Sequence, residues 1–490
     1  MRKFNKKIIS TALALMVGVT ACAGASCSKG GSQTIITDDG KVKYTIAKTW
    51  EKEELHTYFL DSVGENIMPV CGFGGPYTPS GITYNGHVQP DFNDDYYWDL
   101  MDQAGVNTIV FAWNEYRADT ANIMRALDQA YARGMSYFVR DNNMGWLWRE
   151  NNPRPLIEIV EDYIDHPGCA GVYGRDEPGG NDYGKYAKLA KAMYTDARFE
   201  GKDVYMNLLP NYANTSAFGK YKTYEGYVRG YAEECSDMPY IAYDYYPYRS
   251  ADTANLDKMN AAGYFSNLSI VRQVAYEHKI PFWTYYCIGE LSATEYPMYP
   301  DKEAYFWNIN SNLVYGAKGL QLYSVIQSPV DEDLTDAAAD PVTGWNYERF
   351  GLVGAMGNVN RWWHYQVEFD KHLKVIDEYL MNAQNVGVIG VGKRAGYLGK
   401  GPEVITEGSF RELKSVSANE ALVGCFDYDG TTMLYVLNND IDVKQKVALN
   451  FDDKYGYDVY QRGELTSIAG KTLTLTLEAG EAVLVKLRTK

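Results

Sequence analysis

Cysteine pairs, histidine clusters, surplus positive charge and long apolar runs are all scarce in this chain, and each scarcity removes a class of function. Seven Cys occur in 490 residues, none of them in a Cys-x-x-Cys pair. A disulfide framework and a zinc site are therefore not expected, and the Cys within apolar stretches read as small buried hydrophobes. The six His are scattered without ligand spacing, so no metal and no other cofactor is implied. A net charge of −16 argues against a nucleic-acid partner, because binding phosphates needs a basic surface. Beyond the N-terminal segment no apolar run is long enough to span a bilayer.

What the chain does have begins at its N-terminus. Arg2, Lys3, Lys6 and Lys7 precede an apolar, small-residue stretch over 8–21, the pattern of an export signal. The signal ends in Val19-Thr20-Ala21-Cys22. This resembles a bacterial lipobox, which implies lipidation of Cys22 and membrane attachment through that lipid anchor alone. An ordinary secretory signal cut near Ala25 is the alternative. Residues 22–45 then read as a flexible tether, starting from Ser28-Lys29-Gly30-Gly31-Ser32.

From about residue 66 the chain alternates short apolar runs with segments of helical period. Strands are predicted at 67–73, 107–113, 136–141, 170–175, 204–208, 240–244, 281–286 and 320–324. Helical faces fall between them, such as Ile123, Leu127, Ala130 and Tyr131, then Leu156, Ile159, Val160, Tyr163 and Ile164. Eight strand–helix units predict a (β/α)8 TIM barrel over 46–384. After a long last helix at 360–383, strands at 386–391, 433–437, 447–451, 472–477 and 482–487 predict a small C-terminal β-sandwich over 385–490. Packing against the barrel is its expected role, with glycan binding as the alternative.

The whole is organised around Gly171-Val172-Tyr173-Gly174-Arg175-Asp176-Glu177-Pro178-Gly179. Here an apolar strand ends in two adjacent acids and a forced turn. Carboxylates at a strand end are costly unless solvent, partners or a task compensate them, and in a barrel that end faces the catalytic mouth. The bland alternative is that Asp176 caps the next helix and Glu177 is merely solvated. Other strand ends supply Trp113, Asn142, Trp146, Asn207, Asp244, Tyr245 and Tyr286. Amides and carboxylates that bond hydroxyls, together with flat aromatic faces, suit a carbohydrate. The 43 Tyr, 10 Trp and 16 Phe add to that reading.

On these residues the chain resembles the clan A glycoside hydrolases, and within them bacterial barrel proteins whose fourth strand ends in Asp-Glu-Pro. The resemblance spans about 60–380. It implies a retaining glycosidase acting on β-linked sugars, with Glu177 as general acid/base and the nucleophile after strand seven. Glu290 is the nearest carboxylate there, and Glu295 is the fallback. Asp176 stands where the clan usually has Asn, beside the sugar hydroxyl next to the scissile bond. Two further readings are carried: an inverting glycosidase pairing Glu177 with Asp244 or Asp141, and a non-catalytic glycan-binding surface lipoprotein that keeps the barrel as a scaffold. The acidic insertion at 327–345 reads as a solvated loop, with a calcium site there as the lesser alternative.

Overall fold

A computed structural model describes residues 33–36, 42–46, 67–78, 83–84, 87–112, 119–146, 154–247, 261–288, 301–327 and 351–488. Cys22, Trp113, Glu290, Glu295 and the acidic stretch 331–340 lie outside the described residues, as does the side chain of Trp146. Among the described residues no helix is long and apolar enough to cross a membrane.

Eight parallel strands form the barrel: β1 Val70–Phe73, β2 Thr108–Ile109, β3 Ser136–Val139, β4 Cys169–Asp176, β5 Asp203–Asn207, β6 Ile241–Tyr243, β7 Phe282–Cys287 and β8 Gly319–Tyr323. Leu320 of β8 lies opposite Val70 of β1. The remaining gap, between β5 and β6, closes through the Leu208–Tyr243 bridge, where the Leu208 N–H donates to the Ala242 carbonyl at 2.8 Å. Closure leaves no unpaired sheet edge. The strands read as near-continuous apolar runs because one face meets the barrel interior and the other meets helices.

Among the described residues the α-helices are α1 Asp95–Gln103, α2 Thr120–Ala132, α3 Ile157–Val160, α4 Tyr183–Tyr194, α5 Tyr224–Glu234, α6 Ala261–His278, α7 Lys302–Val314 and α8 Arg361–Asn382. In α2 the buried stripe is Ile123, Ala126, Leu127 and Ala130, a helical spacing that turns one face to the sheet. Tyr131, expected on that face, is 59% exposed. Leu156, Ile159, Val160, Tyr163 and Ile164 are all buried as a cluster, but only the four residues of α3 are helical.

The C-terminal β-sandwich consists of β9 Gln384–Val391, β10 Leu413–Ser417, β11 Ala421–Tyr428, β12 Thr431–Asn438, β13 Gln445–Gln461, β14 Glu464–Leu477 and β15 Ala482–Arg488, all antiparallel. Successive side chains of a strand point to opposite faces, and here both faces are covered. Leu422, Phe426, Met433, Tyr435, Leu437 and Leu484 join the barrel's core, whereas Val423, Cys425, Leu434, Val436, Val483 and Val485 fill the sandwich's own. Full burial of one such side chain is worth about 1.5–3 kcal/mol, so six of them fix the domain against α7. Polar contacts set the register of that docking. Trp307 Nε1 donates to Asn439 Oδ1 at 2.8 Å, and the Tyr435 hydroxyl donates to Asn310 Oδ1 at 2.7 Å.

Beneath the barrel mouth, at the start of β5, Asp203 is fully buried. One carboxylate oxygen accepts from the Val204 N–H at 2.7 Å, and the other has no hydrogen-bond partner. Burial pushes this carboxyl from 3.8 to about 8, against the smaller opposing effect of that N–H. The folded chain thus holds a proton that the unfolded chain releases above its ordinary value. Stability is fully present below pH ~4, declines as pH rises from there, and levels off above about 8. Asp203→Asn removes the dependence. It is expected to stabilise the protein by on the order of a few kcal/mol at pH 8 and to change little at pH 3.5. Unchanged melting curves at both pH values would show that Asp203 is not held protonated.

Candidate active site

Strand β4 places the acidic pair through a bulge. Its pairing with β5 is regular up to Tyr173 opposite Tyr205, then slips so that Arg175 faces Met206 and Asp176 faces Asn207. Gly174 is the extra residue, and a Cβ there would lie 2.9 Å from the Tyr205 carbonyl oxygen. A bulge re-aims the chain that follows it. Tyr173 therefore points into the barrel, its ring stacked on that of Tyr205 at 5.6 Å, and Asp176, three residues on, points inward as well. Glu177 follows with φ +49, a left-handed conformation that is uncommon outside Gly, and its N–H donates to the Asn207 carbonyl at 2.9 Å. Non-glycine residues held in that region cluster at functional sites.

The acids open into a pocket of about 160 Å³ lined by Phe73, Asp176, Glu177, Asn207, Asp244, Tyr246, Tyr285 and Tyr323. Asn207 sits between two of the carboxyls: its Nδ2 donates to Asp176 Oδ1 at 3.1 Å and to Asp244 Oδ1 at 3.0 Å. Below them the Tyr205 hydroxyl is 2.5 Å from that of Tyr285 and donates to Gln321 Oε1 at 2.8 Å. Aromatic packing stiffens one wall, where Phe73 stacks on Phe111 at 4.4 Å and Arg140 lies over the far ring at 4.9 Å.

Three carboxyls in so small a space shift one another's protons. Burial raises Asp176 to about 6, opposed by the Asn207 amide and by Arg175. Glu177 is raised to about 7, first by burial and then by the charge of Asp176, again opposed by Arg175. Asp244, 5% exposed, is pushed well above the carboxylate range by burial and by the charges of Glu177 and Asp176, with the Asn207 amide opposing. Asp176 and Glu177 nevertheless keep solvent contact at the mouth. The site thus offers a carboxylic acid still partly protonated at neutral pH, beside groups able to accept hydrogen bonds. That combination suits general acid–base chemistry.

Of the residues expected at the site, the structure brings Asp176, Glu177, Asn207 and Asp244 to one pocket. Tyr245 and Tyr286 are corrections. Tyr245 is 1% exposed and packs edge-on against Tyr212 and Tyr264 of α6. Tyr286 is fully buried, donating to Gln366 Oε1 of α8 at 2.9 Å. Both belong to the layer between barrel and helices, because alternation sends their neighbours inward instead. Asn142 is exposed in the short turn Asn142–Trp146 and is not a lining residue, and Asp141 accepts from the Asn143 N–H. Trp113, Glu290 and the Trp146 side chain fall outside the described residues. Of the other lining residues, Tyr246, Tyr285 and Tyr323 stand at the expected ends of strands six, seven and eight, and Phe73 ends strand one. Parity counted from Asp244 finds Tyr246, whereas nothing in the sequence sets the inward parity of strands one, seven and eight.

No protein-family model and no curated protein matches the chain. Among solved structures it is similar to a β-galactosidase from Bacillus circulans sp. alkalophilus, with 10% identity over 87% of this chain and 100% of that one at a TM-score of 0.51. A structure described as a glycoside hydrolase aligns over 94% of this chain and 97% of its own, at 10% identity and a TM-score of 0.49. A β-galactosidase from the psychrophilic Marinomonas ef1 aligns over 66% of this chain and 63% of its own, at 10% identity and a TM-score of 0.43. At such identity the first of these likenesses speaks for the fold alone, a (β/α)8 barrel with a C-terminal β-domain.

Proposed function

We propose that the barrel mouth is a glycosidase site that hydrolyses β-linked oligo- or polysaccharide outside the cytoplasm. The observation that carries this reading is Glu177, a carboxyl lifted to about 7 in a small aromatic pocket at the C-terminal end of the strands. Cleaving a glycosidic bond needs a proton for the leaving oxygen and an ionised partner for the oxocarbenium-like centre. Glu177 donates that proton and later takes one back from water. Asp176 and Asn207 hold ring hydroxyls, while Tyr246 and Tyr323 offer aromatic faces. The fold likeness to β-galactosidases is in keeping with this reading. Glu290 is proposed as the nucleophile, which makes the enzyme retaining. A second reading has a specific support: Asp244 faces the same pocket as Glu177, and pairing these two gives inversion. The signal-like N-terminus and the lipobox-like Val19-Thr20-Ala21-Cys22 support a location at the cell surface or facing the periplasm, with Cys22 as the anchor.

The test is reducing-sugar release from a panel of β-linked oligosaccharides, with proton NMR of the first anomer formed. A β product is expected. An α product transfers the second role to Asp244, and no release from any β-linked member overturns the glycosidase reading.

A further inference from the structure

We propose that the sugar ring taken by this pocket carries a positive charge, being an amino sugar whose ammonium sits among Asp176, Glu177 and Asp244. This rests on the glycosidase reading and names its substrate class. Among the described residues the lining contains three carboxyls from the ends of two strands and no Lys, Arg or His. Asn207, 1% exposed, spends its amide nitrogen on Asp176 and Asp244, and its oxygen has no hydrogen-bond partner. The Tyr285 hydroxyl is engaged by Tyr205. With Asp176 and Asp244 ionised the walls accept more hydrogen bonds than they donate, and they suit a ligand rich in donors. An ammonium brings three donors and no acceptor.

Charge points the same way. The charges of Asp176, Glu177 and Asp244 repel one another, and with a neutral sugar only bound protons offset that repulsion. An ammonium among them relieves it, and the rings of Tyr246 and Tyr323, 5.7 Å apart, can also face a cation. Arg175, whose charge opposes the shifts of Asp176 and Glu177, does not line the pocket. The pocket, among the described residues, holds about 160 Å³, roughly the liquid volume of five waters. Among the described residues no three acids, His or Cys are grouped so as to hold a metal ion.

The test uses purified full-length protein and matched 4-nitrophenyl β-glycosides with amino, acetamido or hydroxyl groups at C2, in gluco and galacto configuration. The amino member is expected to show a kcat/KM at least tenfold above its two partners in one configuration. Asp244→Asn is expected to collapse that ratio. Calorimetry of wild-type protein with glucosamine and galactosamine, in two buffers of different ionisation heat, is expected to show proton release at pH 6–7 as the ammonium displaces protons from Asp176 and Asp244, Glu177 keeping the proton it donates. Equal or better cleavage of the hydroxyl glycosides, abolished by Glu177→Gln, overturns the amino-sugar inference and leaves the glycosidase reading standing. Failure to cleave any member, with no binding of either amino sugar, overturns both.

Discussion

Glu177→Ala is expected to lower turnover of unactivated β-linked oligosaccharides by about 10²–10⁴-fold, the usual worth of general acid–base help. The loss should depend on the leaving group. An aryl glycoside whose phenolate departs without a proton still forms the glycosyl-enzyme. That intermediate then accumulates, because the base that would activate water is gone too. Azide needs no base, so it is expected to restore turnover and yield a glycosyl azide. Glu177 is the right residue for this test because burial and Asp176 raise it to about 7, leaving it substantially protonated where a donor must work. Glu290→Ala is expected to behave differently, with turnover lost on activated and unactivated substrates alike. Full activity of Glu177→Ala on an unactivated oligosaccharide would remove Glu177 from the mechanism.

Gly171→Ala is expected to produce the largest loss of stability of any single methyl added to the barrel strands. Its φ of +139 is one that L side chains rarely adopt, and the new Cβ would lie 1.9 Å from the Asp203 carbonyl oxygen and 2.6 Å from its nitrogen. Those atoms belong to β5, so relief requires parting the two strands that hold Asp176 and Asn207. Overpacking alone costs about 1–3 kcal/mol, and the forced backbone adds roughly 1–2 more. A total near 4 kcal/mol should appear as a sharply lowered melting temperature and poor soluble yield. Gly184→Ala is the control: it sits in α4, and its Cβ meets nothing within 4 Å, so no loss is expected. Equal behaviour of the two variants would mean that β4 and β5 do not approach as closely as described.

Much of this architecture is written in the sequence, and the part that is not has a physical reason. All eight barrel strands lie within a few residues of their apolar runs, because strands buried on both faces have to be apolar throughout. The same property hides the sandwich strand Ala421–Tyr428. Ala421–Tyr428 serves two cores and shows no alternation to count. At the site, the end of strand four is visible as Asp176-Glu177, but which neighbours share its pocket depends on parity. Asp244 and Tyr245 cannot both face inward from one extended segment, and Tyr285 and Tyr286 cannot either. The choice of Tyr245 and Tyr286 took the wrong member of each pair, whereas Tyr246 and Tyr285 line the pocket. Strand four adds a further obstacle, since the Gly174 bulge shifts parity midway. Without it Arg175 would point inward and Asp176 outward.

The most direct test of the central claim is the pH dependence of kcat/KM in wild type and Asp176→Asn. Glu177 has to be protonated to serve as the acid, so activity should fall as pH rises through about 7, an apparent value shared among coupled carboxyls. Asp176→Asn removes a like charge beside Glu177 and should move that basic limb to lower pH. A limb that stays in place or moves upward would contradict the account, because Glu177 would then not be the acid whose proton Asp176 holds in place.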